Sequence, residues 1–131
     1  MPYASGPKVR AELFARDFIV ALGDETTALK VASSLVTMRL PYAFVLTGVR
    51  ASLATAQGSG SLLTLDVKAG GTSVFSTKPT FNNASKTTVG ATPAVFSTTS
   101  LASDAELTFD VTQTGDGTAK GLKVTLLGYI P

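Results

Sequence analysis

Glu106-Leu107-Thr108-Phe109-Asp110-Val111-Thr112-Gln113 alternates polar and apolar residues without a break. Successive side chains of a strand point to opposite faces, so Leu107, Phe109 and Val111 read as inward and Glu106, Thr108, Asp110 and Thr112 as outward. Leu62 to Ala69 repeats the pattern, with Leu63, Leu65 and Val67 on one face and Leu62, Thr64, Asp66 and Lys68 on the other. Gly70-Gly71 follows at once and signals a two-residue hairpin, whose turn favours residues that tolerate positive φ. Val74 and Phe75 then belong to the return strand.

The same period extends outward in both directions. Leu35 to Leu40 sets Val36, Met38 and Leu40 against Leu35, Thr37 and Arg39, and stops at Pro41, which has no N–H to give a ladder. Phe44 to Leu53 is a long β-prone run in which Gly48 marks a bulge or a close backbone approach. Phe18 to Leu22 is a shorter run ended by Gly23-Asp24. Gln57–Ser61 and Thr114–Gly117 are turns, and Lys78–Thr92 is polar enough for a long surface loop. Val95-Phe96 starts another short strand. In the last run Leu122, Val124 and Leu126 share one face, while Leu127 and Tyr129 stand beside Lys123 and Thr125 on the other. A strand apolar on both faces at one end meets something other than water there, which makes Leu127 and Tyr129 candidates for self-association.

About eight short strands separated by turns predict an all-β fold: an antiparallel, jelly-roll-like β-sandwich. A chain of 131 residues suits one domain with a single core. We divide it into an extended N-terminal arm, residues 1–16, and a sandwich, residues 17–131. Pro2, Gly6 and Pro7 disfavour regular structure at the start, and Lys8–Ala15 fits a short helix or a strand. The arm carries Tyr3, Val9, Leu13 and Phe14 as apolar contacts with Arg10 and Arg16 among them, a combination suited to ordering against a partner.

The chain has neither histidine nor cysteine. The commonest general base, thiolate chemistry and disulfides are therefore all excluded. Gly58-Ser59-Gly60-Ser61 has the glycine density of a phosphate loop, but no helix and no Lys-Ser/Thr follow it. Asp104, Glu106 and Asp110 could offer oxygens to Ca²⁺, yet they read as a turn and a solvated strand face. Asp66 and Asp110 look like ordinary exterior charges, not a glycosidase pair. Asn83-Ala84-Ser85 matches a glycosylation sequon by coincidence. We expect no enzyme activity, no cofactor, no metal and no small-molecule substrate. Eleven Lys and Arg against nine acidic residues give a net charge of +2, and the scattered lysines do not form a nucleic-acid face. No apolar run is long enough for a membrane span, and the start does not look like a secretory signal.

Several blocks, in order, resemble a family of tailed-bacteriophage virion structural proteins. They are Gly23-Asp24-Glu25-Thr26-Thr27-Ala28-Leu29, Met38-Arg39-Leu40-Pro41-Tyr42-Ala43-Phe44, Val49-Arg50-Ala51-Ser52-Leu53, Leu65-Asp66-Val67 with its Gly-Gly hairpin, Thr92-Pro93-Ala94-Val95, and Gly121-Leu122-Lys123-Val124-Thr125-Leu126-Leu127-Gly128. The chain departs from the pattern at Lys30–Ser34, within the first hairpin. The resemblance implies a β-sandwich module of capsid decoration proteins, head fibres or tail fibres, commonly trimeric and without catalytic residues. The expected protein is made in the host cytoplasm and resides on the virion, on the capsid exterior. Its expected partners are itself, as a homotrimer, and the major capsid protein. The alternative is a tail or head-fibre adsorption component that binds host-surface carbohydrate, for which Tyr42 and Phe81 are the loop aromatics.

Overall fold

The structure is a computed structural model that describes residues 13–131. Tyr3, Val9 and Arg10 lie outside the described residues, as does most of the Lys8–Ala15 segment. Among the described residues there are ten strands: β1 (Ala15–Ala21), β2 (Ala32–Arg39), β3 (Phe44–Ser52), β4 (Thr64–Ala69), β5 (Thr72–Ser73), β6 (Phe75–Thr77), β7 (Val95–Phe96), β8 (Ser100–Leu101), β9 (Glu106–Gln113) and β10 (Lys123–Tyr129). One sheet has the order β1-β10-β3-β8 and the other β2-β9-β4-β5, every pair antiparallel. The chain crosses from one sheet to the other after β1, β2 and β3. The pairings are nested, β1 with β10, β2 with β9, β3 with β8 and β4 with β5, in a β-sandwich. β6 and β7 add a separate two-stranded ribbon.

In β10 the alternation found in the sequence is the pattern of burial, and in β4 and β9 it holds for the apolar residues. Leu65, Val67, Leu107 and Phe109 from one sheet and Leu122, Val124 and Leu126 from β10 and its approach are sealed in a single core. Gly70 and Gly71 make the β4–β5 turn with φ of 60° and 87°, the left-handed pair that a two-residue hairpin requires. Gly48 lies at the β3–β10 irregularity, where Leu127 pairs with Gly48 but Gly128 pairs with Leu46. Gly128 itself leaves no room for a Cβ, which would run into the Phe44 ring and the Val45 carbonyl.

Five expectations need correction. The return strand of the Gly-Gly hairpin is Thr72–Ser73 alone, and Phe75 belongs to β6 in another sheet. β1 begins at Ala15, so Arg16 is a strand residue paired with Gly128. β1 and β2 lie in different sheets, so Gly23–Val31 is a crossing and not a hairpin turn. Phe81 is completely buried, because its N–H bonds to the Leu63 carbonyl (3.0 Å) and draws the Lys78–Thr92 stretch onto the core. Asp66 and Asp110 are 2% and 3% exposed and are not exterior charges. They do face outward from the core, but β2 and β5 close over them. Asp110 accepts the Ser34 N–H (2.7 Å), and Asp66 accepts the Ser73 hydroxyl (2.5 Å).

The glycine-rich turn at 57–61 is locked from inside the chain. Buried Gln57 donates to the Ser61 carbonyl (2.7 Å) and Asn83 Oδ1 (2.8 Å), and accepts the Gly115 N–H (2.9 Å). The Gly58 and Ser59 N–H groups, which a phosphate would need, already bond the Asp116 carboxylate at 2.8 and 3.0 Å. The Thr118 hydroxyl and these N–H groups hold the Asp116 carboxyl at about 2, below its usual 3.8. Asp24 is lowered in the same sense, chiefly by the Thr27 N–H. A depressed carboxyl contributes stability that is complete above the unfolded value and is lost as pH falls through the folded one. Asp116→Asn should therefore lower the melting temperature at neutral pH and flatten its decline between about pH 4 and 2. Thermal melts across that range check this, and an acid limb identical to wild type would contradict it.

Candidate functional site

The outer face of the first sheet carries the candidates Leu127 and Tyr129, whereas Arg16, paired with Gly128, has the opposite parity. Alternate residues of β10 point outward there: Lys123, Thr125, Leu127 and Tyr129, all half-buried. The ladders place Ala15 and Val45 beside Tyr129, Asp17 and Gly48 beside Leu127, and Ile19 and Arg50 beside Thr125. Leu127 rests over bare Gly48, its Cδ1 3.4 Å from where a Cβ would stand. Ile19 is 69% exposed, although it sits mid-strand. The result is an apolar diagonal of Tyr129, Leu127 and Ile19 with an acid on the β1 side and a base on the β3 side. Leu13 and Phe14 are exposed at the entrance to β1, where the Phe14 carbonyl accepts the Ile130 N–H (3.1 Å). Arg16 turns its guanidinium back to the Ala15 carbonyl (2.7 Å). The sequence reading missed Ile19; its parity with Asp17 in β1 was the available signal.

Concavities also lie elsewhere among the described residues. A groove of about 240 Å³ opens beside β3 between Thr47, Thr80, Thr88, Thr92, Pro93 and Phe96. Phe96 is held there by stacking on Phe75 (5.2 Å). A second, more apolar hollow of about 340 Å³ lies along the β1–β2 crossing, walled by Leu22, Thr27, Leu29, Ala32 and Leu35. Tyr42 is half-buried and packs on Phe18 (5.9 Å), so it serves the core edge as well as the surface.

Several carboxylates are engaged by other groups of the chain. Asp104 and Glu106 flank Arg39 at 3.7 and 3.4 Å, at the exposed end of β2 and β9. Asp66 and Asp110 are directly opposite in the β4–β9 ladder, and Lys68 adds an ion pair to Asp110 at 3.3 Å. Their bonds hold the edge strand β2 and the β4–β5 hairpin to the sheet. Among the described residues no group of three or more His, Cys, Asp or Glu could hold a metal ion. Nor does any buried side-chain polar atom among them lack a hydrogen-bond partner. What this face can do chemically is bury apolar area against another surface.

Comparisons with protein-family models, with curated proteins and with solved structures returned no match.

Proposed function

We propose that this chain is a structural protein of a bacteriophage particle, a capsid decoration protein that binds the assembled major capsid protein lattice as a homotrimer. The ordered series of sequence blocks carries this reading. Two of those blocks fall on corners of the sandwich, Gly23–Leu29 on the β1–β2 crossing and Met38–Phe44 around the β2–β3 crossing, and others lie on β3, β4 and β10. The exposed Leu13 and Phe14, just before β1, add apolar surface, and the sequence ahead of them carries Lys8 and Arg10. A partner that binds only assembled shells stabilises them by mass action. The protein would reside on the capsid exterior after synthesis in the host cytoplasm, with no reaction, cofactor or small substrate involved.

Removing residues 1–12 spares β1 and is expected to leave the melting temperature within a few degrees while abolishing co-sedimentation with assembled shells. Full-length binding should weaken as salt rises, because Lys8, Arg10 and Arg16 would meet acidic capsid residues. Undiminished shell binding by the truncated chain would remove the arm from the mechanism. The threonine-lined groove beside β3 favours one alternative, adsorption through host-surface carbohydrate. Binding of the isolated protein to a glycan array, with none to shells, would put that reading in its place.

A further inference from the structure

We infer that copies of this chain associate through the outer face of β1, β10 and β3, with Asp17 of one copy meeting Arg50 of the next. The inference deepens the self-association included above. Three observations carry it. The face has an apolar centre, Ile19, Leu127 and Tyr129, in a position where an antiparallel sheet exposed to water normally shows polar residues. Asp17 and Arg50 flank that centre, both exposed and neither in any ion pair among the described residues. Their strands are separated by β10, about 10 Å across two strand spacings, so they do not reach each other within one chain.

An apolar middle with an acid on one side and a base on the other lets the β1 side of one copy meet the β3 side of the next, a head-to-tail contact that can close a ring. Laying β1 of one copy across β3 of the next sets acid on base and Ile19 near Leu127. A foreign partner would be served equally well by charges of one sign, whereas association with a second copy requires both. Lys123 does not compete for Asp17, since it is paired with Glu25.

Sedimentation velocity over a concentration series tests this with the full chain. Asp17→Arg and Arg50→Asp should each raise the concentration for half-assembly roughly tenfold or more, since each sets like charges together. The double variant, Asp17→Arg with Arg50→Asp, should return to near the wild-type value. Both residues are exposed, and circular dichroism melts would verify that the variants fold. Singles without effect, a double no better than the singles, or a wild-type chain that stays monomeric would each overturn the inference. Shell co-sedimentation of the same variants separates the two readings. Shells decorated by monomers leave the capsid proposal standing without this interface, and assembly without shell binding does the reverse.

Discussion

Phe109→Ala is expected to destabilise the fold by about 3–5 kcal/mol, measured by chemical denaturation. Phe109 is fully buried at the middle of β9, a central strand flanked by Val36 of β2 and Val67 of β4. Truncation removes a ring from contact with both neighbours and with the opposite sheet, and strands cannot collapse into the hole without breaking two ladders. Domains of this size are stable by about 5–15 kcal/mol, so the variant would sit near its unfolding threshold. Leu65→Ala, fully buried on the adjacent strand, should cost about 2–5 kcal/mol by the same mechanism. Thr37→Ala, exposed and opposite Thr108, should stay within about 0.5 kcal/mol. Equal losses at Thr37 and Phe109 would mean that the inward face has been misassigned.

Asp110→Ala should cost about 2–3 kcal/mol, although the residue lies on the face turned away from the core. Its carboxylate accepts the Ser34 N–H, and Ser34 stands at φ 52° in the β2 irregularity between Ala32 and Val36. Alanine leaves that N–H unpaired and releases Lys68. Asp110→Asn keeps an acceptor for Ser34 and loses only the charge, so its cost should be smaller. The Lys68 pair is partly open to solvent and is worth correspondingly little. Asp104→Asn, which keeps a residue that tolerates the positive φ of 63° and removes only the charge of the exposed Arg39 pair, should change stability by less than about 0.5 kcal/mol. If Asp110→Ala proves as mild as Asp104→Asn, the carboxylate does not hold the edge strand.

Alternation made the inward faces of β4, β9 and β10 legible, because a half-buried strand has a period of two. Pro41 and Gly70-Gly71 marked ends and turns for reasons local to the backbone. Which strands pair was not legible. β1 and β10 stand at opposite ends of the chain, and their ladder from Ala15–Tyr129 to Ala21–Lys123 depends on how the whole chain folds. The buried state of Asp66 and Asp110 was hidden for a related reason. Alternation tells which way a side chain points, not whether an edge strand folds over it. Phe81, a lone aromatic in a polar stretch, looks like a loop residue until its backbone joins Leu63. At the candidate surface, Leu127 and Tyr129 stood out because β10 is apolar on both faces. Ile19 did not, since the run Phe18–Leu22 is apolar throughout and only its parity with Asp17 marks the outward face.

Purified particles from cells that encode this chain give the most direct test of the central proposal. Immunogold labelling with antibody raised against the folded sandwich, paired with mass spectrometry of the particle proteins, reads both presence and place. Label distributed over the outer surface of intact heads, in many copies per particle, is the expected result. Particles that lack the protein would contradict its assignment as a virion component, and label confined to the tail would contradict capsid decoration.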